Sequence, residues 1–98
     1  MLLAHAVTLA EARSYVAALA DNARTFDAST EYEQVLLELD SIHGGQVPPI
    51  TEVALDKRDV LHTVAEAAIE ELIDHGVDGL LIELLLARLE DARALDRP

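Results

Sequence analysis

The stretch that decides the fold is Asp78–Asp91, DGLLIELLLARLED, in which seven of the ten positions from Leu80 to Leu89 are Leu or Ile. A span of a bilayer takes about 20 apolar residues, and Glu83 and Arg88 interrupt this one well short of that. Asp78 is a good N-cap, because its carboxylate can accept from orphan N–H groups of a helix beginning at Gly79. The stretch therefore predicts a capped α-helix over about 79–95.

The wheel of that helix sets the central question. At about 100° per residue, Leu84, Leu95, Leu81, Ala92, Leu85, Leu89, Ile82 and Leu86 succeed one another round an arc of roughly 240°. A helix packed on one side of a bundle uses an apolar stripe of about 100° or somewhat more. Either the helix is central, surrounded by the others, or one margin meets a second chain. Four short helices ordinarily pack as a ring in which each shows a face to water, which favours the second reading. Ile82, Leu85, Leu89 and Ala92 fall at heptad spacing and are assigned, with Leu81, to the inner seam. Leu80, Leu84 and Leu86 are assigned to a partner interface, with Arg88 at its rim and Asp91 as its expected ion partner.

Working outward, the segment before Gly76 predicts a helix over about 57–75, capped by Asp56. Its buried stripe is Val60, Leu61, Val64, Ala65, Ala68, Ile69 and Leu72, at spacings of three and four. HGGQVPP (43–49) stops the preceding helix, since Gly44 suits a C-cap and Pro48 and Pro49 cannot continue the ladder. That helix is expected over about 30–43, capped at Ser29 or Thr30, packing through Tyr32, Val35, Leu36, Leu39 and Ile42 with Leu37 off the face. Thr8 and Glu11 have capping-box spacing, which predicts a first helix over about 9–24 that packs through Leu9, Ala12, Tyr15, Val16, Leu19 and Ala23. ITEVAL (50–55) and LAHAVTL (3–9) have strand-like character and would pair as a minor two-stranded ribbon. The fold class is all-α, a small four-helix bundle of two antiparallel pairs within one domain, 1–98.

Composition narrows the function classes. The 98 residues suffice for one modest core. Only Tyr15, Phe26 and Tyr32 are aromatic, so the core is built from Leu, Val, Ile and Ala, of which Leu and Ala favour helices. With no cysteine there is neither a disulfide framework nor a thiolate metal site, and a cytoplasmic location is expected. The opening MLLAHAVTLAEA holds an Ala-His-Ala similar to a leader cleavage site, but it lacks a basic start. A net charge of -12 repels nucleic acid and anionic membranes. The expected partner is another protein with a basic surface, or a second copy in a homodimer, with no direct nucleic acid and no membrane. The bias to Arg, Ala and Leu fits a GC-rich genome, such as that of an actinobacterium or one of its phages.

Chemistry finds little support. His62 and Glu66 stand four apart on the third helix and could reach one ion, with Glu70 a further turn along. The bundle metal sites built from Glu-x-x-His motifs are missing, and the wheel places His62 on a polar flank, where a solvated pair is expected. His43 and His75 sit in last helical turns, where imidazole meets the negative end of the helix dipole; His5 carries no signal. Ser14, Ser29 and Ser41 have no histidine in a nucleophile arrangement, and two glycines are too few for a phosphate cradle. The expectation is a small acidic non-enzymatic interaction protein, a regulator, adaptor or inhibitor, with no cofactor and no catalytic residues. It self-associates through the Leu-rich helix. The alternatives are a nucleic-acid mimic whose carboxylates block a DNA-binding protein, and a helical metal-binding protein using His62 and Glu66.

Overall fold

A computed structural model describes residues 1–54 and 56–97. They form four helices: α1 (Leu3–Asp21), α2 (Phe26–Ile42), α3 (Arg58–Glu71, extended by a 3-10 turn over Leu72–His75) and α4 (Gly79–Leu95). None is long and apolar enough to cross a membrane. No strand occurs among the described residues, so the expected ribbon is absent. Residues 3–9 instead belong to α1, and 50–54 have no regular structure and lie along its flank, the Thr51 N–H donating to Ser14 Oγ at 3.0 Å. Leu55, the end of the expected second strand, lies outside the described residues.

The helices close a ring in the order α1, α2, α4, α3. Side-chain contacts give its directions. The start of α1 meets the ends of α2 and α3 through the rings of His5, His43 and His75. The opposite end of the bundle gathers Arg24, Thr25, Arg58 and Asp96, where α1 and α4 finish and α2 and α3 begin. Each ring neighbour is therefore antiparallel, while α1 and α4, and likewise α2 and α3, run parallel across the diagonals. The connection from α2 to α3 must consequently travel the length of the bundle, a long crossover of the kind known in helix bundles. Residues 43–54 and 56–57 are its described part, and extended chain at about 3.3 Å per residue easily spans a 17-residue helix at about 1.5 Å per residue.

Arg13 ties that crossover down. Its Nε donates to Asp40 Oδ1 at 2.7 Å and its Nη2 to Oδ2 at 3.2 Å, while Nη1 donates to the Pro48 carbonyl. One side chain of α1 thus links α2 to the crossover, and Val47 and Val53 pack against the core on either side.

The core follows the heptad seams. Leu9, Ala12, Val16 and Leu19 of α1 meet Tyr32, Val35 and Leu39 of α2, with Leu61, Ala65, Ala68, Ile69 and Leu72 of α3 opposite. From α4 come Ile82, Leu85, Leu89 and Ala92, all buried as their spacing predicts. Leu37 is exposed, also as expected, but Val60 is exposed too and His62 takes a buried place on α3. The stripe on α3 is therefore turned from the expected one toward α4.

The helix starts differ from expectation in three places. Thr8 does not cap α1, which begins at Leu3; the Thr8 hydroxyl instead donates to Glu71 Oε2 at 3.0 Å. The cap of α2 is Thr25, whose Oγ1 accepts from the Ala28 N–H at 3.0 Å, in place of Ser29 or Thr30. Lys57 rather than Asp56 is the N-cap of α3, and it provides no side-chain cap. Asp78 caps α4 as expected, accepting from Leu80 N–H at 2.8 Å. Gly76 closes the 3-10 turn at φ 92°, a left-handed conformation that only glycine adopts without strain.

Candidate functional site

The lower end of the bundle, where α2 and α3 begin and α4 ends, is organised by a buried carboxylate. Asp96 continues the α4 seam, four residues beyond Ala92, and is buried. Its Oδ1 accepts from the Arg24 backbone N–H at 2.7 Å and its Oδ2 from Arg58 Nη1 at 2.7 Å. Each contact satisfies a charge that burial alone would penalise. Thr25 adds a hydrogen bond from its hydroxyl to the Leu95 carbonyl at 2.9 Å, so the end of α4 is held against the turn between α1 and α2.

A cleft of about 530 Å³ opens around this carboxylate, and Arg24, Lys57, Arg58, Arg93 and Arg97 line it. These are five of the seven basic residues in the chain. Tyr32 and His62 form its inner wall, and Asp59 and Asp96 are its acidic members. Burial, with the Asp96 carboxylate next in effect, pushes the Tyr32 phenol up to about 12, so it remains a hydrogen-bond donor at neutral pH.

His62 is the unusual group of this region. Only 3% exposed, it has Glu66 Oε2 at 3.6 Å from Nδ1 and Glu90 Oε1 at 3.9 Å from Nε2. Its Nε2 is buried without a hydrogen-bond partner. The three residues bring ligand atoms within 4.8 Å of one another. The expectation of a solvated His62 on a polar flank is thus corrected: α3 turns it toward α4. Glu66 and Glu90 join it there, and Glu70 is not part of the group.

At the upper end, His5, His43 and His75 form a second cluster. His5 Nε2 is 3.0 Å from His43 Nε2, and the rings of His5 and His75 stack with centroids 5.4 Å apart. His43 Nδ1 lies 2.7 Å from the Leu39 carbonyl, the helix-end contact anticipated for it. With its proton on Nδ1, His43 presents Nε2 as the acceptor for His5. Burial, followed by the charges of His43, His75 and the N-terminus, holds His5 below its ordinary value of 6.5. His75 Nε2 also lies 3.3 Å from Thr8 Oγ1, a threonine and histidine pairing that sequence spacing did not reveal. The single Thr8 proton goes to Glu71, and Thr8 is buried, so the hydroxyl is neither deprotonated by His75 nor accessible to a substrate.

The residues assigned to an interface are not all placed alike. Leu80 is 66% exposed and Leu84 58% exposed. Leu86 packs partly buried against the core, and Leu81, assigned to the seam, is 40% exposed instead. Arg88 pairs with Glu38 of α2 at 3.1 Å rather than with Asp91. α4 contacts α2, α3 and the 3-10 turn but not α1, so it is one wall of the ring and not its centre. An arc wider than one wall can bury leaves Leu80, Leu81 and Leu84 outside.

The fold and its two polar ends define an all-α bundle with one long crossover and a cationic cleft on an otherwise acidic molecule. Compared with protein-family models, curated proteins and solved structures, the chain matches none.

Proposed function

We propose that the chain is a small non-enzymatic protein-interaction module, a regulator, adaptor or inhibitor, that self-associates through the outer margin of α4. The observation that carries this reading is the row Leu80, Leu81 and Leu84, exposed on a helix whose seam already fills the core. Each fully exposed Leu forgoes about 1.5–3 kcal/mol of burial, and a contiguous apolar margin favours association. A second copy is the favoured occupant, because Arg88 and Glu38 set both signs of charge beside the leucines. In a two-fold interface each can face its opposite on the partner.

Carboxylates stand on all four helices instead of one face, which argues against a nucleic-acid mimic. The metal-binding alternative has the convergence of His62, Glu66 and Glu90 in its favour. Against it, the two carboxylates address opposite ring nitrogens, and Arg93 Nη1 lies 3.7 Å from Glu90. That arrangement suits a clamp on an imidazole better than donors converging on one ion.

The test is light scattering of the wild type and of a Leu80→Glu/Leu84→Glu variant, beside a pull-down from host lysate with each. A wild-type dimer that the variant converts to monomer supports the reading. If both proteins are monomeric and capture the same partners, the α4 margin is not an interface.

A further inference from the structure

We propose that the cleft between the starts of α2 and α3 and the end of α4 binds a small phosphorylated anion of mononucleotide size. The chain carries seven basic residues against nineteen acidic ones, yet five of the seven line this one cleft. Five cations against the two carboxylates Asp59 and Asp96 give the cleft a formal charge of +3 in a molecule of net charge -12. Like charges gathered in this way repel one another, and an anion among them relieves that repulsion.

The internal ion pairs leave cationic capacity unused. Arg58 serves Asp96 at 2.7 Å, and Arg93 reaches Asp59 at 3.3 Å and Glu90 at 3.7 Å. The side chains of Arg24, Lys57 and Arg97 have no ion-pair partner among the described residues. Two further polar groups complete the lining. The Tyr32 phenol stays protonated at neutral pH, and the buried Nε2 of His62 has no hydrogen-bond partner inside the protein. An unpartnered polar atom in so buried a side chain is costly unless something outside the chain satisfies it. The start of α3 adds to this, since Lys57, Arg58 and Asp59 line the cleft and no side chain caps the first N–H groups of the helix.

The chemistry of these groups selects the ligand class. Guanidinium forks match the oxygens of a phosphate group, and one dianionic phosphate accepts from several of them at once. The cleft volume of about 530 Å³ lies within the range of about 300–1,000 Å³ usual for small-molecule sites. A nucleic-acid strand is disfavoured, because phosphates beyond the cleft would face the acidic remainder of the surface. Inorganic pyrophosphate and a mononucleotide share the recognised group and differ in the rest.

Isothermal titration calorimetry at low salt tests this, with pyrophosphate, AMP, citrate and a ten-residue oligothymidylate as probes. Arg24 and Arg97 are exposed and outside the core, so an Arg24→Ala/Arg97→Ala variant should keep the wild-type melting temperature without ligand. The expected result is saturable binding of pyrophosphate or AMP that this variant weakens at least tenfold and Tyr32→Phe weakens by a smaller factor. Tighter binding of AMP than pyrophosphate assigns the site to a nucleotide, and the reverse assigns it to phosphate groups alone. The proposal is overturned if neither probe binds at millimolar concentration, or if the double variant binds as well as the wild type. It is equally overturned if citrate or the oligothymidylate binds as tightly as the phosphate probes. These outcomes do not depend on whether α4 mediates self-association.

Discussion

Arg13 and Asp40 pair across α1 and α2, and removing one partner or the other should have unequal effects. The Arg13 side chain is 10% exposed and the Asp40 side chain 27%. Breaking a buried ion pair costs about 3–5 kcal/mol, because the surviving charge is left without a partner. In Asp40→Ala the survivor is the guanidinium, the more buried member, and a loss of about 3 kcal/mol is expected. In Arg13→Met the survivor is Asp40, which can recruit water, and the aliphatic stem is retained. There the main penalty is the Pro48 carbonyl left without its donor, so the loss should be about 2 kcal/mol. For a chain of this length 1 kcal/mol moves the melting temperature by about 4–8 °C, so Asp40→Ala should melt about 12–24 °C lower. Urea denaturation followed by circular dichroism measures the two variants and the Arg13→Met/Asp40→Leu double variant. The double variant should lose at least about 1.5 kcal/mol less than the sum of the single losses, since the partners are in contact. Because Arg13 also holds Pro48, Arg13→Met should speed hydrogen exchange at the Thr51 amide, which bonds to Ser14, and leave α4 amides unchanged. Additive losses, within about 0.5 kcal/mol of the sum, would refute the coupling and with it the clamp.

Two further predictions rest on other parts of the molecule. Leu85→Ala should destabilise by about 2–5 kcal/mol, because Leu85 is buried in the core, whereas Leu84→Ala, at an exposed position one residue away, should stay within about 0.5 kcal/mol in the monomer. Chemical denaturation at low protein concentration separates the two. Below pH 6.5 the upper end of the bundle should weaken: His5 is held below its ordinary value, so between the folded and unfolded values the unfolded chain binds more protons. Stability in that window therefore falls as pH falls, and is regained as pH rises above 6.5. Melting temperatures across pH 5–8 should show this slope in the wild type and a shallower one in His5→Gln. An equal slope in both proteins would place the titration elsewhere.

The periodicity of the chain made its helices readable, because burying an apolar stripe requires spacings of three and four whatever the partner is. Val35, Leu39, Ile82, Leu85 and Leu89 stand where that rule puts them. The same seams also run on into polar groups. His5 precedes Leu9 by four, His75 follows Leu72 by three, and Asp96 follows Ala92 by four. Extending each seam by one step would have marked these residues as facing the ends of the core. The helix starts were less legible, since Thr8, Ser29 and Thr30 all resemble caps and only the surrounding packing decides which threonine or serine stands outside the helix. Thr8 has the spacing of a cap but stands inside α1: its hydroxyl serves Glu71 of another helix, a contact between residues 63 apart in sequence.

The amino-acid sequence by itself determined the all-α class, the number and order of the four helices and the excess of leucine on α4. Those follow from local propensity and periodicity, which are properties of neighbouring residues. Only the tertiary structure decided the ring order, the long crossover clamped by Arg13, and which of the α4 leucines stay outside. It alone gathered Arg24, Lys57, Arg58, Arg93 and Arg97 around one cleft. These residues come from three separate regions of the chain, and no local rule places them together. Their proximity arises because α2 and α3 begin where α1 and α4 end, a consequence of the ring's antiparallel directions.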